Sequence, residues 1–253
     1  MKNKYVNFIS DQHLLECIAN LYNAYSRAKK NISKINFYSN KVDTIKLTFD
    51  SKFNSLDEAT LIDAEILRQI DKSINNAIGT FHEEILGGIS GFERGNLSGY
   101  DIKANDNSLF ADIKNKHNTM SSSASESLFQ KLIKYAEKYP NSKCYWVQIL
   151  ATSSFNKKWE ASLNGTLYSH NRVYKISGDE FYKLLSKQDD SFFQLYKCLP
   201  QAIEDYLSTI EKTEYNVNSA LLEIKKGTTI SQRSILDEIT FENFGYYFGF
   251  DKL

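Results

Sequence analysis

The chain has 253 residues, 42% of them hydrophobic, 13% aromatic and 25% charged, which supplies ample core material at a length suited to one substantial domain. Two prolines and eleven glycines exclude collagen-like and low-complexity architectures, and no run of apolar residues reaches the length of a membrane span or marks a signal peptide. Thirty-one basic residues balance thirty-one acidic ones, which excludes nucleic-acid binding through an overall positive charge but not through a locally basic cleft.

In chain order, Ser10-Asp11 opens a one-faced helix with Leu14, Leu15, Ile18, Leu21, Tyr22 and Tyr25 on its apolar stripe. A longer helical pattern starts near Ser55, whose spacing to Glu58 fits a capping box, and runs through Ile62, Ile66, Ile70, Ile74 and Phe81 to Gly87-Gly88. Its length predicts one helix broken once, or two in tandem. The period then changes to two. Tyr100, Ile102 and Ala104 alternate with polar residues, Asn105 to Ser108 form a turn, and Leu109, Ala111 and Ile113 resume the alternation. Ser121 to Ser125 lead into a helix through Leu128, Leu132, Ile133 and Ala136 that stops before Pro140. Cys144 to Ala151 is an apolar run suited to the interior of a sheet. A further strand is predicted over 172–177 and helices over 180–186 and 192–210, with Pro200 as a kink or break. The last forty residues are aromatic-rich and carry no assignable pattern. Strands interspersed with helices predict a mixed α/β or α+β fold, a mixed central sheet flanked by helices. Three scattered cysteines, Cys17, Cys144 and Cys198, fit buried free thiols in a reducing cytoplasm.

The hairpin carries the chemistry. With a symmetric turn at 105–108, Ile102 faces Ala111 and Ala104 faces Leu109, and Tyr100 is expected opposite Ile113 on the same apolar face. On the other face Asp101 lies across from Asp112, with β-carbons roughly 4.5–5.5 Å apart, close enough for both carboxylates to share one hard cation. Lys114 projects from that same face. Two facing acids repel unless a cation lies between them, and an adjacent lysine can steer a water at phosphorus and stabilise the charge that develops there. An acid two residues before a lysine occurs four times, at Asp50, Asp101, Asp112 and Glu223, so the tripeptide by itself fits a solvated surface as well. The cross-strand register is what singles out Asp101 and Asp112.

The run from Gly99 to Met120, containing Tyr100-Asp101 and Asp112-Ile113-Lys114, resembles the catalytic region of type II restriction endonucleases in the PD-(D/E)xK nuclease superfamily, and more narrowly the group that cleaves double-stranded DNA at GGNCC. The stretches Thr80–Gly88, Cys144–Leu150 and Ser169–Gly178 support it. The resemblance implies a single endonuclease domain over 1–253, with a helical part to about 90, a catalytic core over about 91–180 and a helical and mixed remainder. It implies Mg²⁺ as cofactor, duplex DNA as substrate, a homodimer acting on a palindrome, and a companion DNA methyltransferase in the same system. Asp101 and Asp112 take the place of the metal-binding acids and Lys114 that of the lysine, while Tyr100 stands where the motif has proline. A helix acid often joins such sites, and Glu84 is the candidate, ahead of Glu83 and Glu93. Lys116 and Asn118 are candidates for phosphate contact. Arg172 and Arg94, two of only five arginines, are candidates for the bidentate reading of guanine. The rival readings are a repair or junction-resolving nuclease of the same core, or a DNA-binding protein without catalysis.

Overall fold

The computed structural model describes residues 3–30, 34–95, 99–116, 120–163, 166–211 and 231–244. Residues group into two compact units, one of Met1–Leu21 with Ile78–Glu211, the other of Tyr22–Ala77 with Lys212–Leu253. Boundaries near 90 and 180 do not follow this division.

The first unit is built on a six-stranded sheet of order β1-β2-β3-β4-β6-β5. Its strands are β1 (Phe92–Arg94), β2 (Ile102–Ala104), β3 (Leu109–Lys116), β4 (Lys143–Leu150), β5 (Asn156–Leu163) and β6 (Thr166–Ser177). β1, β2 and β3 are antiparallel neighbours, β3–β4 and β4–β6 are parallel, and β5 returns antiparallel along β6. The mixed sheet expected from the sequence is therefore present. A parallel pair needs a crossover, and helix α5 (Ser122–Lys138) supplies the one between β3 and β4. Ser121 caps it by accepting from the Ala124 amide at 3.3 Å. Helices α6 (Gly178–Ser186) and α7 (Ser191–Leu207) follow β6. The first unit also takes the N-terminal part of α1 (Asp11–Lys30) and the C-terminal part of α4 (Glu58–Gly87).

Two apolar clusters sandwich the sheet. One joins Ile102, Ala111, Ile113, Tyr145, Val147 and Ile176 to α1, α4, α6 and α7. The other joins Phe110, Cys144, Trp146 and Val173 to Leu128, Phe129, Leu132 and Ala136 of α5. The β3 strand is thus buried on both faces rather than one. Tyr100 also departs from expectation. It packs edge-on against Phe110 and Tyr135, on the α5 side rather than with Ile102, because it precedes the strand, next to Gly99 at φ 78°.

The second unit gathers Phe37, Val42, Leu47, Leu61, Ile62, Ile66, Ile70 and Ile239 from α2 (Lys34–Ser39), α3 (Thr44–Asn54), α4 and α8 (Ile235–Phe244). Here Ser55 is not a capping-box residue. It ends α3 in the left-handed region, at φ 53°, and Asp57 caps α4 by accepting from the Thr60 amide at 2.8 Å. The α4 helix is continuous over 30 residues, and α7 runs through Pro200 without ending. Among the described residues no helix is long and apolar enough to cross a membrane.

Candidate active site

The β2–β3 ladder pairs Ile102 with Ala111 and Lys103 with Phe110, the register read from the alternation. The ladder departs from this register at Asp101: the Asp101 amide donates to the Ala111 carbonyl at 2.9 Å, and the Ile113 amide donates to Asp101 Oδ2 at 2.6 Å, which holds that carboxylate beside the residue that follows Asp112. The turn is held by the Asn107 amide on the Ala104 carbonyl at 2.9 Å, with Asn107 itself at φ 60°.

Asp112 is 3% exposed. Its Oδ1 lies 2.5 Å from Lys114 Nζ, and its Oδ2 is bound by Lys131 Nζ from α5. The Lys114 contact is an ion pair, and Oδ1 accepts no further hydrogen bond. Burial and then the neighbouring Asp112 charge raise the Asp101 carboxyl above the ordinary aspartate range, opposed by the Ile113 amide, Lys114 and Lys131. All these groups therefore share one electrostatic neighbourhood on the α5 side of the hairpin.

The helix acids separate. Successive residues on a helix point about 100° apart, so only one can address the hairpin closely. Burial and then Asp101 raise the Glu83 carboxyl, while Arg94 and Lys114 oppose the rise. Glu83 therefore feels the charges of both Asp101 and Lys114. Glu84, the residue favoured from the sequence, is held by Asn20 Nδ2 of α1 and by Arg94, each at 3.3 Å. Glu93 pairs with Lys103 at 3.0 Å, away from this cluster's acids.

The arginines are also engaged. Arg94 binds Glu83 at 2.9 Å and Glu84 at 3.3 Å. Arg172 donates to the Tyr139 carbonyl at 3.4 Å. It precedes Val173, the partner of Cys144, whereas Lys114 is level with Gln148 and Ser177 at the other end of the strands. Lys116 is exposed at the end of β3, and Asn118 lies outside the described residues.

Lys131 and Gln148 carry no signal in the sequence. Gln148 neighbours Lys114 on β4 and is 7% exposed. A loop-and-helix connection of unknown path gives no register from which Lys131 can be placed. Among the described residues no three acids, histidines or cysteines converge as a ready cage for a cation. Two neighbouring carboxylates, one of them buried and held only by mobile ammonium groups, fit a small hard ion that keeps waters and takes substrate phosphate as further ligands. The site lies near the carboxyl ends of parallel strands β3 and β4, where open α/β sheets commonly bind ligands.

Residues 6–208 match the Eco47II restriction endonuclease family. The chain is 39% identical to the type II restriction enzyme Sau96I of Staphylococcus aureus, over 96% of this chain and 97% of that protein. It is 28% identical to the type II restriction enzyme Eco47II of Escherichia coli, over 80% of this chain and 88% of that protein.

Proposed function

Because the chain belongs to the Eco47II restriction endonuclease family and is a type II restriction enzyme, a site-specific deoxyribonuclease, we propose that it cuts both strands of a short palindromic site, GGNCC, with Mg²⁺ as its divalent cofactor. The products carry 5′-phosphate and 3′-hydroxyl ends. The observation that carries the reading is the Asp112 carboxylate gripped by Lys114 and Lys131, with the Asp101 carboxylate held beside it on the Ile113 amide.

In this reading Asp101 and Asp112 hold the metal, and Glu83 completes the acidic side of the site. The bound ion supplies charge neutralisation at the phosphate and lowers the pKa of water. Lys114 orients the attacking water and stabilises the negative charge gathering on the phosphate oxygens. The water oxygen bonds to phosphorus as the bond to the 3′ oxygen breaks, and that oxygen leaves as the hydroxyl. The Ile113 amide fixes the Asp101 rotamer, so one carboxylate is aimed before any ligand arrives. Lys116, beyond Lys114 on the same strand, is proposed to contact a neighbouring phosphate.

A palindromic site favours a two-fold homodimer, since protein and site symmetry should match. Such an enzyme works in the cytoplasm beside a DNA methyltransferase that protects host sites. The test is digestion of a sequenced plasmid with Mg²⁺. Discrete fragments whose ends map to GGNCC support the proposal. Structure-dependent nicking points to a repair enzyme, and absence of any divalent-dependent cutting ends the catalytic reading.

A further inference from the structure

Lys131 contacts the same carboxylate as Lys114, yet from a different element, and the motif of acid, acid and lysine has no place for it. The two ammonium groups sit on side chains that are 35% and 34% exposed, while the carboxylate they share is 5% exposed. The Asp101 and Asp112 carboxylates thus share two cations that both reach the surface, and both cations make their contact on Asp112.

From this geometry we propose that Lys131 is a phosphate-binding residue with two stations: on Asp112 Oδ2 when the metal site is empty, and on a DNA phosphate oxygen when it is filled. The inference rests on the reading of Asp112 as a metal ligand. A divalent ion held by Asp112 takes over the neutralisation of its charge and repels the ammonium groups beside it, so filling the site displaces Lys131. The four-carbon stem of lysine lets the head group swing without moving α5, whose packing rests on Leu128, Phe129, Leu132 and Ala136. The nearest new anion is the phosphate whose oxygens complete the metal's shell. Lys114 lies in the strand beside that phosphate, and Lys131 approaches from the helix across it. The Lys131 contact therefore opposes metal binding in the DNA-free protein and favours phosphate once metal is bound. Metal and DNA are coupled through one side chain.

The experiment uses the full chain with Lys131→Met, which keeps the stem and removes the charge, and Lys131→Arg, which keeps the charge. Mg²⁺ alone is titrated calorimetrically into DNA-free protein. Binding of a GGNCC duplex is followed by fluorescence anisotropy with Ca²⁺ in place of Mg²⁺, over a series of salt concentrations. In Lys131→Met, Mg²⁺ affinity is expected to rise by about fivefold or more, the lower end of ordinary coupling between ligands. The salt dependence of duplex binding should fall by about one contact, a change of ~0.9 in the logarithmic slope. Lys131→Arg should retain the parental slope. Unchanged metal affinity in Lys131→Met makes Lys131 a structural brace and overturns the proposal. An unchanged salt slope also overturns it, by removing the second station. Failure of the underlying reading looks different: the parent protein would then bind Mg²⁺ no better than Asp112→Asn, whatever Lys131 does.

Discussion

Two antiparallel hairpins lie in the same sheet, and both bury charge. In β2–β3 the buried charges are Asp101 and Asp112, answered by Lys114 and Lys131. In β5–β6 the charge is the half-buried Lys175, level with Asp112 and Trp146 across the strands. Its ammonium lies 4.6 Å from the ring centre of Trp146 and 5.3 Å from that of Trp159. Burial, then Lys157, lowers its pKa. The difference is in what answers the charge. Aromatic faces attract the lysine but present nothing that a ligand could replace. The Asp112 carboxylate is answered by two flexible side chains that reach solvent, and either can yield its place to another cation. A buried charge marks a site when its partners are exchangeable.

The strongest way to break this comparison is to remove one charge from each hairpin. Asp112→Ala should lose cleavage by about 10³-fold or more, the scale of losing a group that stabilises charge at the reacting centre. Its fold should persist, because Lys114 and Lys131 can turn to water, and near-native circular dichroism checks this. Lys175→Met should cut within about twofold of the parent, the effect of a substitution away from the chemistry. Comparable losses in both variants would erase the distinction between the hairpins.

A smaller effect separates the two helix acids. Glu83→Gln should weaken Mg²⁺ binding by about 10–100-fold, as partners at metal sites commonly do, whereas Glu84→Gln should fall short of that range. Calorimetry on both variants decides between them, and the reverse order would restore Glu84.

The raised Asp101 carboxyl gives the comparison a sign in pH. In the metal-free fold Asp101 holds its proton to higher pH than in the unfolded chain, so its contribution to stability falls as pH rises through the folded value. Asp101→Asn keeps an acceptor for the Ile113 amide but carries no charge. It should melt above the parent at neutral pH, and the gap should close as pH drops through the raised Asp101 pKa. Melting curves across the acid range, with the metal removed by chelator, test this. The raised Asp101 and Glu83 values also place the acid-side loss of metal binding at higher pH than free carboxylates would.

How much was legible follows from how far apart the partners lie in the chain. The register of Ile102 with Ala111 was readable because alternation and turn chemistry both act within a dozen residues. That register alone brought Asp101 beside Asp112. The apolar run of β4 likewise announced a strand interior to the sheet. Lys131 was not readable, since its contact with Asp112 depends on how α5 crosses from β3 to β4. Glu83 and Glu84 differ by one helical step, and a sequence gives no absolute rotation for a helix packed on several neighbours. The edge strand β1 escaped because Phe92-Glu93-Arg94 is too short to show a period, and β5 because Lys157, Lys158 and Glu160 break the apolar signal. Tyr100 misled because strand alternation was extended past the residue where the strand begins.

The smallest effect is expected at Arg172. A guanidinium that reads O6 and N7 of guanine contributes about 1–3 kcal/mol of discrimination at one base pair. Arg172 instead donates to the Tyr139 carbonyl just past the end of α5. Arg172 lies five residues along β6 from Ser177, the level of Lys114, a separation of roughly 16 Å at ~3.3 Å per residue. Arg172→Ala should leave GGNCC as the cleaved sequence and change the rate by no more than about threefold, within the ordinary cost of one exposed hydrogen bond. Sequencing the ends produced on a plasmid carrying every single-base variant of the site checks this directly. New cut sites differing at one guanine would instead make Arg172 a base reader, and would require the DNA to extend along the sheet to the far end of β6.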